Sequence, residues 1–210
     1  MIAPKDRPPA DPESLVLVTR RLDPGDTWLR FVRAIHPDPL GVGHGAKSRF
    51  ADSALDRGEL VAFEPVYFAS TFRAAFVETV LRDAANGKPS DWPMAESELS
   101  RWTCVQVAVT RPLVAVNLTG PGPVRMRMPS DAARARDQTL GRLWSSTIHA
   151  HPARVDGILY PSRLVGDECL CLYASRVIDA VQVMRRDGLL NWPGDLADAF
   201  HAFGIVLIGL

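Results

Sequence analysis

The chain lacks several features that would assign it to a common class of protein. It has three cysteines in 210 residues, and an odd, small number does not build a disulfide framework, so we expect free thiols in a reducing compartment. Its N-terminus carries charge and proline but no apolar segment typical of a secretory signal. The apolar run at 203–210 is far shorter than the roughly 20 residues of a membrane span. We therefore predict a cytoplasmic protein without a membrane span.

A surplus of either charge is also missing. Lys plus Arg number 24 and Asp plus Glu number 24, so the formal net charge is zero. Because proteins that bind nucleic acid usually carry a basic surplus, we predict no direct binding to nucleic acid. The chain does have apolar residues, which make up 47% of it and suffice for one sizeable core. We predict a flexible tail over residues 1–14 and a single domain over residues 15–210.

Local patterns predict a mixture of strands and helices. Apolar or alternating runs predict strands at 28–32, 66–69, 105–109, 113–118, 124–128, 158–160, 170–174 and in the last apolar run. Helical spacing and capping residues predict helices from Ser70 or Thr71 to near Gly87, from Pro129 to about 149–152, near 177–186, and at 196–203. Since these elements do not alternate as regular βαβ units, they favour an α+β fold.

Three familiar kinds of site are disfavoured by spacing. The glycine-rich loop at 41–45 lacks the preceding strand and following helix of a dinucleotide-binding loop. The candidate metal ligands are His44, His149, His151, Cys169 and Cys171. Their spacing fits no closed zinc pattern, so no metal is predicted. A serine hydrolase would use Ser162 with His149 and Asp156, but the chain has no Gly-x-Ser-x-Gly motif.

Three polar residues stand in apolar sequence, where a buried polar group needs a partner. They are Arg49, Glu78 and Ser162. One way to satisfy a guanidinium, a carboxylate and a hydroxyl is to bring them into one polar site. Glu78 follows Phe76 by two residues, so it would border the apolar stripe of its helix. Taken singly, Glu78 fits an exposed helix residue better than a site residue, and Arg30 and Arg49 each fit a surface or ion-pair residue.

In this order, and with these flanks, the three residues resemble the RES-domain family, which is named after Arg, Glu and Ser. The resemblance runs from about Trp28 to the C-terminus. It rests on Trp-Leu-Arg at 28–30, Arg-Phe at 49–50, Val-Tyr-Phe-Ala at 66–69, Ala-Phe-Val-Glu at 75–78, Asp-Gly-Ile-Leu-Tyr-Pro-Ser-Arg at 156–163 and Cys-Leu-Tyr at 171–173. Family members paired with an antitoxin often carry Gly-Gly-Arg-Trp-Asn, where this chain has Lys-Ser-Arg-Phe-Ala at 47–51.

The resemblance implies a fold, an activity and a partner. The fold would be similar to that of ADP-ribosyltransferase toxins, with two small mixed sheets forming a cleft flanked by helices. The activity would be cleavage of the nicotinamide–ribose bond of NAD, with water, phosphate or a protein as acceptor and with NAD as substrate rather than resident cofactor. The partner would be an antitoxin with a helix-turn-helix domain. The alternative is a catalytically silent RES-fold domain that binds a protein.

The resemblance also implies a role for each site residue. Glu78 would stabilise the oxocarbenium-like transition state, and Ser162 would orient Glu78 or the ribose. Arg30 and Arg49 would bind the pyrophosphate, which planar guanidinium groups contact well. Tyr67 would stack on the nicotinamide ring. The implied catalytic residues are thus Glu78, Ser162 and Arg49, and the NAD-binding residues are Arg30, Arg49 and Tyr67.

Overall fold

The computed structural model describes residues 4–41, 45–82 and 91–209. Its strands are β1 Thr19–Leu22, β2 Thr27–Arg33, β3 Pro65–Ala69, β4 Trp92–Ala95, β5 Trp102–Val109, β6 Leu113–Asn117, β7 Gly157–Pro161, β8 Glu168–Tyr173, β9 Val181–Gly188 and β10 Ile205–Ile208. Its α-helices are α1 Ala54–Arg57, α2 Phe72–Phe76, α3 Glu96–Leu99, α4 Gly122–Arg125, α5 Ser130–Arg134, α6 Thr139–Ala150, α7 Ala174–Val177 and α8 Pro193–Phe203. A π-helical turn at Val77–Leu81 continues α2.

The α+β class is confirmed, but the strands are grouped differently from the two small sheets expected. Eight of them form one sheet in the order β1-β6-β7-β8-β3-β2-β5-β9, and β10 pairs with β4 in a separate parallel pair. Within the large sheet, only β6 and β7 run parallel in the described part of the chain. A parallel pair requires a long crossover connection, and helices α4, α5 and α6 supply it between β6 and β7.

Two apolar clusters cover the two faces of the large sheet. Phe31, Ala69 and Tyr160 belong to the first cluster, which packs against most of the helices. Their strand neighbours Val32, Phe68 and Leu159 belong to the second. Successive side chains of a strand point to opposite faces, so both faces of these strands are buried and their sequences read as nearly continuous apolar runs.

Most of the sequence-predicted elements are present. The confirmed strands are β2, β3, β5, β6, β7, β8 and β10, and α8 is the predicted C-terminal helix. Thr71 caps α2 as predicted, because its side chain accepts a hydrogen bond from the backbone N–H of Ala74. The predicted end of this helix at Gly87 and the loop residues 42–44 lie outside the described residues.

The strand predicted at 124–128 is wrong. Residues 122–125 form the short helix α4, which has a proline in its first turn. The alternating apolar residues do not share an environment, because Val124 is 79% exposed whereas Met126 and Met128 are buried. Proline lacks the N–H that a ladder needs and fits the start of a helix, so a short helical turn forms here instead of a strand.

The helix predicted near 177–186 is also wrong. Only Ala174–Val177 is helical there, and Val181–Gly188 forms strand β9 along the edge of β5. Val181 and Val183 pack against the second cluster, whereas Met184 is exposed. This alternation, together with β-branched side chains, is the signature of a strand that the helical spacing of the same residues obscured.

The long helix predicted from Pro129 is interrupted. Helix α5 ends at Arg134, Ala135 is extended, and α6 begins at Thr139. A carboxylate oxygen of Asp137 accepts the backbone N–H of Thr139 at 2.9 Å, which favours a new helix start at that point. The interruption has a structural consequence, because it leaves the carbonyl oxygen of Ala135 free to accept a hydrogen bond from another segment.

An aromatic cluster fixes α2 against the sheet. Phe72 and Phe76 of α2 contact the ring of Phe31 edge-on, with ring centroids 4.9 and 6.2 Å apart. On its other side Phe76 packs against Phe200 and Phe203 of α8. Because the π-helical turn follows α2 directly, these contacts also set the position of Glu78.

The N-terminal residues contact α6. The indole N–H of Trp144 donates to the carbonyl oxygen of Asp6 at 3.0 Å, and the ring Nε2 of His151 lies 3.1 Å from the carbonyl oxygen of Leu15. Across the described ranges, none of the helices has the length and apolar character needed to cross a bilayer.

Candidate active site

A cleft of about 470 Å³ lies against one face of the large sheet. Tyr67 and Ala69 of β3, Cys169 of β8 and Tyr160 of β7 contribute to its floor. Ala69 and Tyr160 both stand opposite Cys169 in the strand register, so the four side chains share one face. Residues 46–49 and residues of α2 and the π-helical turn form the walls. The volume falls within the range of about 300–1,000 Å³ of small-molecule sites.

Glu78 stands on the π-helical turn and lines this cleft. A π turn inserts one residue relative to an α-helix, and such turns are frequent at functional sites because they rotate side chains out of the regular helical register. The turn ends at Arg82, a non-glycine residue with φ +43°, whose Nε donates to the carbonyl oxygen of Glu78 at 2.9 Å. Glu78 thus borders the core, as its place beside the apolar stripe predicted.

Ser162 is joined to Glu78 directly. Its hydroxyl donates to a carboxylate oxygen of Glu78 at 2.6 Å, across 84 residues of sequence. The same hydroxyl oxygen accepts the backbone N–H groups of Leu164 and Val165 at 3.2 and 3.3 Å. Since a hydroxyl has one proton and two lone pairs, these three bonds use the full hydrogen-bonding capacity of Ser162. This geometry is that of a residue that holds Glu78 in place.

The serine-hydrolase arrangement is not assembled. The ring of His149 stacks on Phe63, with centroids 4.3 Å apart, and no hydrogen bond joins it to Ser162 in the described residues. Asp156 accepts the backbone N–H of Val114 instead of orienting a histidine. Ser162 is only 4% exposed and donates its hydrogen bond to Glu78, so it lacks the histidine base that activates the nucleophile of a serine hydrolase.

Cys169 is the one thiol among the residues that line the cleft, and it is protonated at neutral pH. Burial, reinforced by the negative charge of Glu78, raises the pKa of this thiol to about 12. A neutral thiol is neither a good nucleophile nor a metal ligand. Within the ranges that the structure describes, no group of three or more His, Cys, Asp or Glu side chains is placed to hold a metal ion.

Arg49 reaches the cleft from the segment that follows the glycine-rich loop. Its Nη1 donates to the free carbonyl oxygen of Ala135, between α5 and α6, at 2.7 Å. Burial lowers the pKa of Arg49, and the neighbouring Tyr160 and Glu78 oppose that shift. Helix α6 approaches closely through Gly141, where an added Cβ would lie 2.7 Å from the carbonyl oxygen of Arg49.

Arg30 is a half-buried cation whose guanidinium has unused hydrogen-bonding capacity among the described residues. Its Nη2 donates to the carbonyl oxygen of Gly41 at 2.6 Å, whereas its buried Nη1 has no partner among the described residues. Burial lowers the pKa of Arg30 to about 10, with Asp38 acting in the opposite direction, so the side chain stays charged at neutral pH. A buried guanidinium nitrogen without a partner is costly, and an anionic ligand in the cleft would satisfy it.

Tyr67 lines the cleft and is also bonded through its hydroxyl. The hydroxyl oxygen accepts the backbone N–H of Phe50 at 2.9 Å and lies 2.9 Å from the hydroxyl of Ser48. Burial raises the pKa of Tyr67 well above its ordinary value, so the hydroxyl is neutral. The structure therefore brings all five sequence-predicted residues to one place: Arg30, Arg49, Tyr67 and Glu78 line the cleft, and Ser162 supports Glu78 from beneath.

The cleft contains residues that the sequence did not point to. Five cations and one carboxylate, that of Glu78, line it. Two of the cations, Arg30 and Arg49, were predicted, and the other three are Lys47, Arg82 and Arg163. Lys47 lies two residues before Arg49 and Arg163 directly follows Ser162, so closeness in sequence to a predicted residue was a signal for both. Gln138 had no such signal, because it sits in the interruption between α5 and α6 that helical periodicity hid. In a chain of zero net charge, this local excess favours an anionic ligand.

Fold and site together define an α+β domain with a cationic cleft around a hydrogen-bonded Ser–Glu pair. The model of the RES domain family matches residues 20–193. The chain is 32% identical over 128 residues to a probable toxin, y4kH, of Sinorhizobium fredii (strain NBRC 101917 / NGR234), covering 61% of this chain and 100% of that protein. The chain belongs to the RES-domain family.

A solved structure supports the fold independently. The crystal structure of the M. tuberculosis MbcT–MbcA toxin–antitoxin complex contains a chain that superposes with a TM-score of 0.62. The match covers 84% of this chain and 92% of that one, at 20% sequence identity. At that identity the likeness concerns the fold alone.

Proposed function

We propose that this protein is an NAD-cleaving toxin of a toxin–antitoxin system, which breaks the bond between nicotinamide and ribose. The observation that carries the proposal is the Ser162–Glu78 pair at 2.6 Å inside a cleft lined by five cations. A single oriented carboxylate suits the stabilisation of a developing positive charge. The surrounding cations suit a ligand that carries a pyrophosphate.

In the proposed reaction, Arg30 and Arg49 bind the pyrophosphate and fix the dinucleotide in the cleft. The glycosidic C–N bond then breaks, and its electron pair leaves with nicotinamide, which becomes neutral. Positive charge develops on the ribose, and Glu78 stabilises it from a fixed position. An acceptor nucleophile attacks the ribose carbon and loses its proton, which completes the transfer of ADP-ribose. Ser162 contributes by holding the carboxylate of Glu78, since a preorganised charge needs no reorganisation during the reaction.

The toxin part of the proposal is supported by the relatives. One relative is named as a probable toxin, and the solved structure with the same fold is a toxin bound to its antitoxin. By analogy, this chain would act in the cytoplasm and be held inactive there by a cognate antitoxin, which we expect to carry a helix-turn-helix domain. The antitoxin would prevent loss of NAD in the cell that makes the protein.

Release of nicotinamide from NAD tests the activity. Purified protein is incubated with NAD in a buffer containing phosphate, and free nicotinamide is measured by chromatography. Glu78→Gln protein, purified in the same way, controls for NAD-consuming enzymes of the expression host. We expect nicotinamide from the parent and far less from the variant. Equal background from both proteins would reject the activity and would favour the catalytically silent, protein-binding alternative.

A further inference from the structure

The hydroxyl of Tyr67 lies at the centre of a hydrogen-bonded group beneath Arg49. It accepts the backbone N–H of Phe50, the residue after Arg49, at 2.9 Å. It also lies 2.9 Å from the hydroxyl of Ser48, the residue before Arg49. Both neighbours of Arg49 are therefore tied to one atom of strand β3, 17 and 19 residues away in sequence.

The segment is held from its other side as well. The hydroxyl of Ser145 in α6 donates to the carbonyl oxygen of Phe50 at 2.8 Å, and the ring of Phe50 packs edge-on against Tyr160 at 4.8 Å. Phe50 is fully buried. Its backbone N–H has no access to water, so without the Tyr67 hydroxyl it would be an unsatisfied buried donor, which proteins avoid.

We propose that Tyr67 is a positioning residue, whose hydroxyl, together with Ser48, holds the segment 48–50 on the sheet and so fixes Arg49 in the cleft. The group formed by Tyr67, Ser48 and the Phe50 N–H is called the Tyr67 latch below. The role differs from ring stacking on a ligand, which needs the aromatic face of Tyr67 and not its hydroxyl. Arg49 gains fixed geometry from the latch, so less side-chain and loop freedom is lost when it binds an anion.

Tyr67→Phe separates the two roles, because it keeps the ring and removes the hydroxyl. The first measurement is hydrogen exchange of the Phe50 amide in the protein without any nucleotide. We expect exchange to become about tenfold faster, the change that corresponds to losing one hydrogen bond of ordinary strength. Tyr160→Phe is the control, because the ring that packs on Phe50 is kept and the Tyr160 hydroxyl is not the partner of the Phe50 N–H. It should leave the exchange of this amide unchanged. Unchanged exchange in Tyr67→Phe would overturn the latch.

The second measurement is the affinity for ADP-ribose, and this arm alone rests on the proposed function. Tyr67→Phe should weaken binding roughly tenfold in the parent, but should have little further effect in an Arg49→Ala background, because it acts through Arg49. Equal effects in both backgrounds would overturn the coupling. Parent-like binding by Tyr67→Phe would overturn the positioning role of the hydroxyl and leave ring stacking as the role of Tyr67.

Ser48 provides the conservative rescue. Ser48→Ala removes one partner of the Tyr67 hydroxyl and should weaken ADP-ribose binding less than Tyr67→Phe does, whereas Ser48→Thr keeps a hydroxyl and should bind like the parent. A Ser48→Thr protein as weak as Ser48→Ala would remove Ser48 from the latch. If no protein, including the parent, binds ADP-ribose, the proposed function fails, and the exchange measurement still decides whether the Tyr67 latch exists.

Discussion

At the residue scale, Glu78 depends on its surroundings for its proposed role. A glutamate on a helix is ordinarily exposed, and the place of Glu78 beside an apolar stripe does not by itself assign it to a site. The π-helical turn brings it into the cleft, and the hydroxyl of Ser162 fixes its carboxylate at 2.6 Å. A carboxylate held in this way keeps its negative charge in one place, which is the requirement for stabilising a transition state in preference to a ground state.

Glu78→Gln should therefore abolish most of the activity without loosening the fold. The amide keeps the shape of the side chain and nearly the same helix propensity but removes the charge. We expect nicotinamide release to fall by on the order of 10²–10³, with little change in melting temperature. Substrate affinity should survive, because the charge acts mainly on the transition state.

The matched control for this variant is Glu98→Gln, on the exposed surface of α3, which should turn over NAD like the parent. Near-parent turnover by a well-folded Glu78→Gln protein would show that Glu78 is not a catalytic residue.

Arg30 and Arg49 should affect binding more than folding. Each is a half-buried cation whose guanidinium donates one hydrogen bond to a backbone carbonyl among the described residues. Arg30→Ala and Arg49→Ala, made in the Glu78→Gln background so that NAD is not consumed, should each weaken NAD binding by about 1.5–3 kcal/mol, measured by calorimetry. Arg125→Ala, on the exposed surface of α4, is the control. Parent-like affinity in both cleft variants would contradict the assignment, and unfolding of Arg30→Ala would show that this side chain is structural.

At the element scale, the cleft depends on how closely α6 approaches the Arg49 segment. Gly141 is the point of contact: an added Cβ would lie 2.7 Å from the carbonyl oxygens of both Arg49 and Ala132, and 3.1 Å from Cγ of Arg49. Real Cβ atoms do not come so near to backbone oxygen, so any side chain here would push the helix or Arg49 aside. The absence of a side chain is what permits Arg49 to lie between the helix and the cleft.

Gly141→Ala tests this packing. Alanine favours a helix over glycine by about 1 kcal/mol, so helix propensity alone predicts a more stable protein. The contacts predict the opposite, a loss of about 1–3 kcal/mol in the free energy of unfolding, together with weaker ADP-ribose binding. Gly194→Ala in α8 is the control, because a Cβ there meets nothing within 4 Å. A Gly141→Ala protein that is both more stable and fully competent to bind would contradict the close approach.

The strands that are buried on both faces of the large sheet were predictable from sequence. Strands β7 and β8 carry continuous apolar runs, because residues such as Leu159 and Tyr160 enter opposite buried clusters. The failures lie where a partner decides the conformation. Val181 and Val183 form a strand because β5 offers an edge, and the chain leaves the helix at Ala135, whose carbonyl oxygen accepts a hydrogen bond from Arg49. Neither partner is visible in the local sequence.

The same division holds for the site. Periodicity placed Glu78 at the border of a helix stripe, but it could not bring Ser162 to it from 84 residues away. The two were grouped by the need of buried polar groups for partners and by the resemblance to the RES family. Ser48 and Gln138 had no such help, since their relation to Tyr67 and to the cleft depends on tertiary contacts. The catalytic and binding roles of the five predicted residues remain predictions, and the variants above test those of Arg30, Arg49, Tyr67 and Glu78.

At the scale of the whole molecule, stability should depend on pH through His149. Burial, reinforced by the charge of Arg176, lowers the pKa of this imidazole from 6.5 to about 4 in the folded protein. Folding therefore favours the neutral ring. The corresponding stability is fully present above about pH 6.5 and is lost as the pH falls towards 4. Because the ring is partly exposed, we expect only about 1 kcal/mol from this group.

His149→Phe keeps the stacking on Phe63, where the ring centroids are 4.3 Å apart, and removes the titration. Urea unfolding at pH 7.5 and at pH 4.5 gives the loss of stability for each protein. The parent should lose more than the variant, by about 1 kcal/mol, while carboxylates that titrate in both proteins cancel in the comparison. An equal loss in the two proteins would show that His149 does not titrate abnormally.

The last prediction concerns the effect of the whole protein inside a bacterial cell. If the cleft cleaves NAD, induced expression without an antitoxin should stop bacterial growth, and cellular NAD should fall before growth stops. The order matters, because a protein that is harmful through aggregation would arrest growth without first depleting NAD. Glu78→Gln, induced to the same level, should leave both growth and NAD unchanged, since it keeps the fold and the Ser162 site but lacks the charge. Normal growth with unchanged NAD, at good expression of the parent, would contradict the toxin proposal. Arrest by parent and variant alike would indicate that the fold harms the cell by binding a partner rather than by catalysis.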